Sequence, residues 1–143
     1  MPEALPDPFR HRFRVRYAEL DPQGVVFNAR YLEYADLIVT EFWHDRQLRL
    51  TGDDALEFHV AGANINFRKP IRAMEVIEGR AWTTRFGNSS MTTRIELHGT
   101  QNEGAENEGC DDLRAEIELV NVHVSLETGE ALPIPQAARD ALS

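Results

Sequence analysis

The stretch DPQGVVFNARYLEYADLIVTEFWHDRQL, residues 21–48, decides the fold of this chain. Its apolar side chains recur at steps of three and four residues, which is the period of an amphipathic helix; they are Tyr31, Tyr34, Ala35, Ile38, Phe42 and Trp43. Leu32, Leu37 and Val39 widen this apolar stripe beyond that of an ordinary surface helix. We therefore expect one long helix that is central and buried on most sides.

Two signals mark the start of this helix. Asn28 is a good cap, because its side-chain oxygen accepts hydrogen bonds from the unpaired N–H groups of the first turn. Upstream, Asp21-Pro22-Gln23-Gly24 has the chemistry of a turn: Asp bonds to its own downstream backbone, Pro fixes φ, and Gly tolerates positive φ. The sequence thus predicts a turn followed by a helix that Asn28 caps.

A carboxylate seven residues before a helix cap suits acyl chemistry. The free N–H groups at the helix start would polarise a carbonyl oxygen, while Asp21 attacks the carbonyl carbon or activates a water molecule. The alternative is that Asp21, followed by Pro-x-Gly, only shapes the turn. Spacing alone leaves both interpretations open.

The run YAELDPQGVVFN, residues 17–28, together with Tyr31 and Tyr34, resembles the 4-hydroxybenzoyl-CoA thioesterase family of hotdog-fold acyl-CoA thioesterases. Weaker similarity at NFRKP (66–70), at GNSS (87–90) and in the closing strand extends the resemblance over most of residues 9–135. The resemblance implies thioester hydrolysis, with the catalytic carboxylate at Asp21 and the polarising amide on the backbone of Asn28. It also implies a homodimer whose site lies between subunits, often with dimers paired into a homotetramer.

The remaining chain reads as an antiparallel sheet. Residues 9–17 alternate between apolar side chains and arginines, and further strands are predicted at 60–67, 76–86, 91–99 and 113–126. A phase change near residues 120–121 predicts a bulge in the last strand. Residues 87–90 form a tight reversal, and 136–142 a short terminal helix. The expected fold is α+β: a hotdog fold with a five-stranded antiparallel sheet wrapped around the long helix.

Length and composition favour a single domain over 1–143. Residues 1–8 are expected to be an irregular lead-in, and 101–112, with five acids and no base, an acidic flexible hairpin loop. The net charge of -9 argues against nucleic-acid binding. The chain shows neither an apolar run of membrane-spanning length nor a secretory signal, so we expect a cytoplasmic location.

The sequence contains little that would bind a metal or a cofactor. Cys110 is the only cysteine, and the five histidines are scattered without the spacing that zinc requires. No phosphate loop, nucleophile elbow or dinucleotide fingerprint is present. We predict no metal and no cofactor beyond the coenzyme A of the substrate.

Several residues are candidates for substrate binding. Gly24, Val25 and Tyr31 belong to the motif around Asp21. Arg68 and Lys69 are the substrate-binding candidates of a cationic group that also includes Arg72 and that would meet the phosphates of coenzyme A or simply solubilise a strand end. Ser89 and Ser90 are also predicted to bind substrate, although turn formation explains them as well.

The sequence therefore predicts an acyl-CoA thioesterase that releases a free acid and coenzyme A from an acyl- or aroyl-CoA. Two alternatives stay open. A hotdog enoyl-thioester hydratase or dehydratase would need a histidine facing an acid, and a non-catalytic acyl-CoA-binding protein would leave the thioester intact.

Overall fold

A computed structural model describes residues 7–101 and 112–143. Its strands are β1 (Phe9–Arg14), β2 (Phe58–Phe67), β3 (Val76–Phe86), β4 (Ser90–Gly99) and β5 (Leu113–His123). Its helices are α1 (Arg30–Asp45) and α2 (Gln136–Leu142), with one 3-10 turn at Tyr17–Glu19. The strands form one antiparallel sheet in the order β1-β3-β4-β5-β2.

The α1 helix packs its apolar stripe against one face of this sheet. Alternate residues of the strands point at the helix, and the contact is closed by side chains with no exposed surface: Ile38, Ile77, Ile95, Leu97 and Ile117. The predicted α+β architecture with five antiparallel strands is confirmed. Leu32 is exposed and Leu37 only half-buried, so the helix is less enclosed than its composition predicted.

The predicted cap at Asn28 is wrong. The helix begins at Arg30, its cap residue is Ala29, and Ala29 itself lies in the right-handed helical region. Among residues 7–101 and 112–143, no side chain bonds to the first-turn amides of α1. Asn28 is exposed, and its carbonyl accepts the Tyr31 N–H at 3.3 Å. The helix start is therefore fixed by backbone contacts rather than by a side-chain cap.

The first strand is shorter than predicted because Glu19 interrupts it. The Glu19 carboxylate accepts the Arg16 N–H at 2.8 Å, and the Glu19 N–H donates to the Arg16 carbonyl at 3.0 Å. These bonds turn the chain into the 3-10 segment that follows β1. Tyr17, predicted to lie on the apolar face of the strand, is 85% exposed.

The predicted bulge in the last strand is also wrong. The inner face of β5 continues without a phase change through Ala115, Ile117, Leu119, Asn121 and His123. At residues 120–121 the register shift lies on the partner strand β2, between Val60 and Gly62, while β5 has its own shift at Arg114, where its pairing with β4 passes from Ala115 to Leu113. The apolar pattern of the sequence changes phase here because two buried positions of β5, Asn121 and His123, carry polar side chains. The inward-facing side of the strand itself stays the same. The strand ends at His123; Val124 forms an isolated bridge with Ala131, and its N–H donates to the Glu57 carbonyl at 3.0 Å.

The β2 strand lies at one edge of the sheet and is poorly covered. It starts at Phe58, two residues earlier than predicted. Val60 and Phe67, predicted as apolar members of this strand, are 60% and 51% exposed. The other predicted elements are confirmed: β3 and β4, the reversal between them, and α2. The acidic loop lies almost wholly outside the described residues.

None of the helices in the described part of the chain is long and apolar enough to cross a membrane.

The close approach of α1 to β3 at Gly79 predicts a large loss of stability from one added methyl group. A Cβ at Gly79 would overlap the side chain of Ile38, which has no exposed surface and no room to move. We expect Gly79→Ala to lower the free energy of unfolding by about 1–3 kcal/mol, as overpacking of a filled core does. Urea unfolding measures this loss.

Gly62→Ala is the matched control, because a Cβ there meets only Val120, at an ordinary distance of 3.9 Å. This control should stay within about 0.5 kcal/mol of the parent. Equal stability of the two variants would contradict the close approach of α1 to β3.

Candidate active site

The turn that carries Asp21 is a short hairpin held by its own backbone. Leu20 bridges Val26, and the Asp21 N–H donates to the Val25 carbonyl at 2.8 Å. Gly24 closes the turn with a φ of +80°, which favours glycine, and its N–H donates to the Asp21 carbonyl at 3.0 Å. The predicted turn at this position is confirmed.

The side chain of Asp21 takes part in the turn with one oxygen. Its Oδ1 accepts the N–H of Gln23 at 2.8 Å and that of Val25 at 3.4 Å. Across the described ranges, Oδ2 has no hydrogen-bond partner within the protein. The carboxylate is half-buried and held in one orientation with a free oxygen. This arrangement suits a group that must accept a proton or attack a carbonyl carbon.

The helix start follows directly on this turn. The Val26 N–H donates to the Ile71 carbonyl at 2.8 Å, and the Phe27 N–H donates to the Glu19 carbonyl at 3.0 Å. The next two N–H groups, of Asn28 and Ala29, find no acceptor among residues 7–101 and 112–143. Unpaired amides at the positive end of a helix dipole are donors for a developing oxyanion.

A cavity of about 230 Å³ opens beside the helix start. Its lining includes four of the predicted substrate-binding residues and the predicted catalytic Asn28; the complete lining is Val25, Val26, Asn28, Tyr31, Phe67, Arg68, Lys69 and Pro70. Tyr31 and Phe67 meet edge to face with ring centroids 4.8 Å apart. Asp21 and Gly24 do not line this cavity, although Asp21 is bonded to Val25, which does.

Two members of the predicted cationic group, Arg68 and Lys69, are already paired with acids. Arg68 contacts Glu116 at 2.8 Å and Lys69 contacts Asp112 at 3.2 Å. The hydrogen bond from Arg68 holds the pKa of the Glu116 carboxyl below its usual value. Both cationic side chains are still more than half exposed. They are available to a phosphate, but only in competition with their present partners.

Ser89 and Ser90 lie at the opposite end of the sheet from Asp21 within one chain. Ser90 is in register with Val122, whereas Phe67, at the cavity, is in register with Ala115. Seven residues of β5 separate these pairs, which is about 23 Å at the rise of a strand. One chain therefore does not bring these serines together with the rest of the predicted site.

Two buried carboxylates near the site were not predicted from the sequence. Glu19 accepts a hydrogen bond from the hydroxyl of Tyr34 at 3.0 Å, and Glu75 forms a double hydrogen bond with Arg114 at 2.7 and 2.8 Å. Glu75 also accepts the Arg72 N–H at 2.7 Å, next to the bridge between Arg72 and Val25. The available signal for Glu19 was its place in the run YAELD, where it stands two residues before Asp21.

No metal site emerges from the described ranges. Within 7–101 and 112–143, no group of three or more His, Cys, Asp or Glu side chains converges as a metal site would require. Cys110 lies outside these ranges.

An antiparallel sheet laid on one long helix, with an acid-bearing turn ahead of that helix, is the hotdog thioesterase architecture that the sequence predicted. Residues 23–105, more than half of the chain, match the family model of the thioesterase superfamily. The chain belongs to this superfamily and is a thioester hydrolase. The matched region begins two residues after Asp21.

Solved structures have the same fold. The PA5185 protein from Pseudomonas aeruginosa shares 25% identity at a TM-score of 0.81, over 95% of this chain and 90% of its own. A 1,4-dihydroxy-2-naphthoyl-CoA thioesterase from Synechocystis shares 17% identity at a TM-score of 0.78, covering 94% and 95%. A 4-hydroxybenzoyl-CoA thioesterase mutant complexed with 4-hydroxybenzoyl-CoA shares 13% identity at a TM-score of 0.82, over 96% of this chain and 100% of its own.

The last two likenesses, below 25% identity, show the fold. No curated protein sequence matches the chain.

The Glu75–Arg114 pair predicts a strong dependence of folding on Arg114. Both side chains are more than nine-tenths buried, and the bonds from Arg114 hold the pKa of Glu75 below its usual value. Arg114→Met leaves Glu75 buried without a cationic partner, so the free energy of unfolding at pH 7 should fall by about 3–5 kcal/mol. Removing Glu75 as well, in Arg114→Met/Glu75→Leu, should restore most of it.

The Glu75–Arg114 pair also determines how the free energy of unfolding changes with pH. Because the pKa of Glu75 is lower in the folded than in the unfolded protein, its contribution to stability is present at neutral pH and is lost as the pH falls through that lowered pKa. The difference between the parent and Arg114→Met should therefore be largest at neutral pH and shrink as the pH falls toward the lowered pKa of Glu75 in the parent. Urea unfolding across pH 3–7 measures it, and a constant difference would contradict this interpretation.

Proposed function

We propose that this thioester hydrolase acts on an acyl- or aroyl-CoA and releases the free acid and coenzyme A. The observation that carries the proposal is the Asp21 turn. One carboxylate oxygen is held by the Gln23 N–H, the other has no partner within the described protein, and the unpaired Asn28 N–H follows at the helix start. A fixed carboxylate can act as the base or the nucleophile in thioester hydrolysis, and free amides can stabilise the oxyanion that forms.

Asp21 would act by one of two routes. As a general base it takes a proton from water while the water oxygen attacks the thioester carbon; the C–S bond then breaks, the free acid forms, and the coenzyme A thiolate leaves and takes up the proton. As a nucleophile it attacks that carbon itself, forms a mixed anhydride and releases the coenzyme A thiolate; water then hydrolyses the anhydride. In both routes the carbonyl oxygen becomes negative and is stabilised by the Asn28 N–H.

The cavity favours a compact acyl group. Its volume of about 230 Å³ and its apolar lining of Val25, Val26, Tyr31 and Phe67 suit an aromatic ring or a short chain, and coenzyme A would extend outward from it. The structural neighbours named for naphthoyl and hydroxybenzoyl thioesters support an aromatic acyl group. Arg68 and Lys69 lie at the same cavity, where the phosphates of coenzyme A would draw them from Glu116 and Asp112.

A homodimer would complete the site, with dimers pairing into a homotetramer. If β2 pairs antiparallel with β2 of a second copy, the Phe58 end of one strand meets the Phe67 end of the other. The Ser89 carbonyl accepts the His123 N–H, and His123 is in register with Phe58. The Ser89–Ser90 turn of the second copy would therefore approach the cavity of the first.

We further infer that the enzyme acts in the cytoplasm and takes no cofactor besides the coenzyme A of its substrate.

Asp21→Asn tests the mechanism directly. The amide keeps the size and turn-forming oxygen of the side chain but neither accepts the proton nor attacks as a carboxylate does. We expect thiol release from acyl-CoA to slow by at least about a hundredfold. A panel of aliphatic and aromatic acyl-CoAs with a thiol-detecting reagent provides the measurement and identifies the acyl group.

Asp36→Asn is the matched control, because Asp36 is an exposed acid on α1, outside the site; its rate should stay unchanged. An Asp21→Asn variant that keeps the parental rate would refute the mechanism. The same panel separates the alternatives: a hydratase adds water to an enoyl thioester without releasing thiol, and a binding protein retains the thioester intact.

The proposed dimer predicts that a charge on the exposed edge strand abolishes assembly. Val60 lies on β2 and is 60% exposed in the single chain. We expect light scattering of the parent to give at least twice 16.3 kDa, and Val60→Glu to shift the mass toward that of one chain with loss of hydrolysis.

Leu126→Glu is the control for this experiment, since Leu126 is also exposed, at 74%, but lies beyond the end of β5. It should leave mass and activity unchanged. A fully active single chain in either variant or in the parent would contradict the shared site.

A further inference from the structure

The buried carboxylate of Glu19 has no role in the chemistry described above, yet it is 5% exposed and fully engaged. It accepts the Tyr34 hydroxyl at 3.0 Å, the Arg16 N–H at 2.8 Å and the Arg16 guanidinium at 3.0 and 3.3 Å. Burying a carboxylate is costly unless such donors surround it. Four hydrogen bonds donated to one buried carboxylate indicate that the chain is held in one position at Glu19.

The backbone of Glu19 connects the two parts of the candidate site, the Asp21 turn and the start of α1. Its carbonyl accepts the Phe27 N–H at 3.0 Å, and the Phe27 carbonyl accepts the Arg30 N–H at the first residue of α1 at 2.9 Å. On the other side, Glu19 is followed by Leu20, which bridges Val26 at the base of the Asp21 turn. A displacement of Glu19 therefore displaces the carboxylate turn relative to the helix start.

Tyr34, the hydrogen-bond partner of Glu19 on α1, is itself held in place by packing. Tyr34 is 3% exposed, and its ring packs against Phe13 with centroids 4.7 Å apart. Burial and the bond to Glu19 raise the pKa of Tyr34, so its hydroxyl keeps its proton and remains a donor. Burial would raise the pKa of Glu19, but its bonds with Arg16 and Tyr34 outweigh burial and lower it, so the acceptor stays charged at neutral pH.

We propose that the Glu19 carboxylate and the Tyr34 hydroxyl are positioning residues that set the Asp21 carboxylate relative to the Asn28 amide. This inference rests on the proposed function. The hydrogen bond ties the segment before Asp21 to the second turn of α1, so carboxylate and amide are held by one rigid connection. Neither Glu19 nor Tyr34 touches the substrate cavity, so both act through Asp21.

Tyr34→Phe is the sharpest test, because it removes one hydroxyl and keeps the ring that packs on Phe13. We expect kcat to fall by about tenfold to a hundredfold, the effect of a small misplacement of reacting groups. KM should stay within about twofold, because the cavity is unchanged. Tyr17→Phe is the matched control: this tyrosine is 85% exposed, and its variant should match the parent.

A double variant separates positioning from a general loss of structure. In an Asp21→Asn background, Tyr34→Phe should cost nothing further, because there is no catalytic carboxylate left to position. Glu19→Gln provides a second, independent variant if Tyr34→Phe folds poorly in urea unfolding, and it should show the same pattern.

Unchanged kcat in both variants would overturn the inference, as would an equal loss with and without the Asp21 carboxylate. These outcomes leave the proposed function standing, provided that Asp21→Asn alone is inactive. Parental activity in Asp21→Asn would refute the proposed function and the inference with it.

Discussion

The contact of Ile38 with the backbone of Gly79 determines where α1 lies on the sheet, and the site depends on that placement. Gly79 has no side chain, so the helix approaches β3 closely, and Ile38 fills the space completely. With the middle of α1 fixed, its first turn is fixed as well, and the Asn28 amide has one position relative to the sheet. The loop from β1 must then reach that point, and it does so through backbone bonds to Glu19 and Ile71.

Charge is organised differently in the interior and on the outer face of the sheet, although the whole chain is acidic. On the outer face, Glu78 is paired with Arg10, Arg12 and Arg80. Near the site, Glu19 and Glu75 are buried with donors that satisfy them. Glu78 is as buried as Glu19 and Glu75, but its partners Arg10 and Arg12 are 49% and 47% exposed, whereas Arg114 and Tyr34 are buried with the acids that they contact. Near the Asp21 turn, acid and donor are therefore buried together.

The sequence predicted those features that follow from local patterns. The long helix, the five strands and the turn at Asp21 each leave a periodic or a turn signal, and the structure contains all of them. It did not predict the Ala29 cap, the Glu19 turn that ends β1, or the register shift on β2, because each arises from contacts between distant segments. Asn121 and His123 caused the wrong prediction of a bulge on β5. In a sequence pattern, polar residues on a buried face look the same as a strand whose two faces have exchanged.

Part of the site was beyond the reach of sequence patterns for the same reason. The two interpretations of Asp21, as a turn-former and as a catalytic acid, looked like alternatives when only spacing was available. In the structure they use different oxygens of one carboxylate: Oδ1 accepts the Gln23 N–H, and Oδ2 stays free of protein partners within the described residues. A side chain that moved freely would lose entropy on reaching a reactive orientation, whereas one already held by its turn does not. The turn chemistry of Asp21 is thus an argument for its catalytic role, since the bonds that shape the loop also orient the acid.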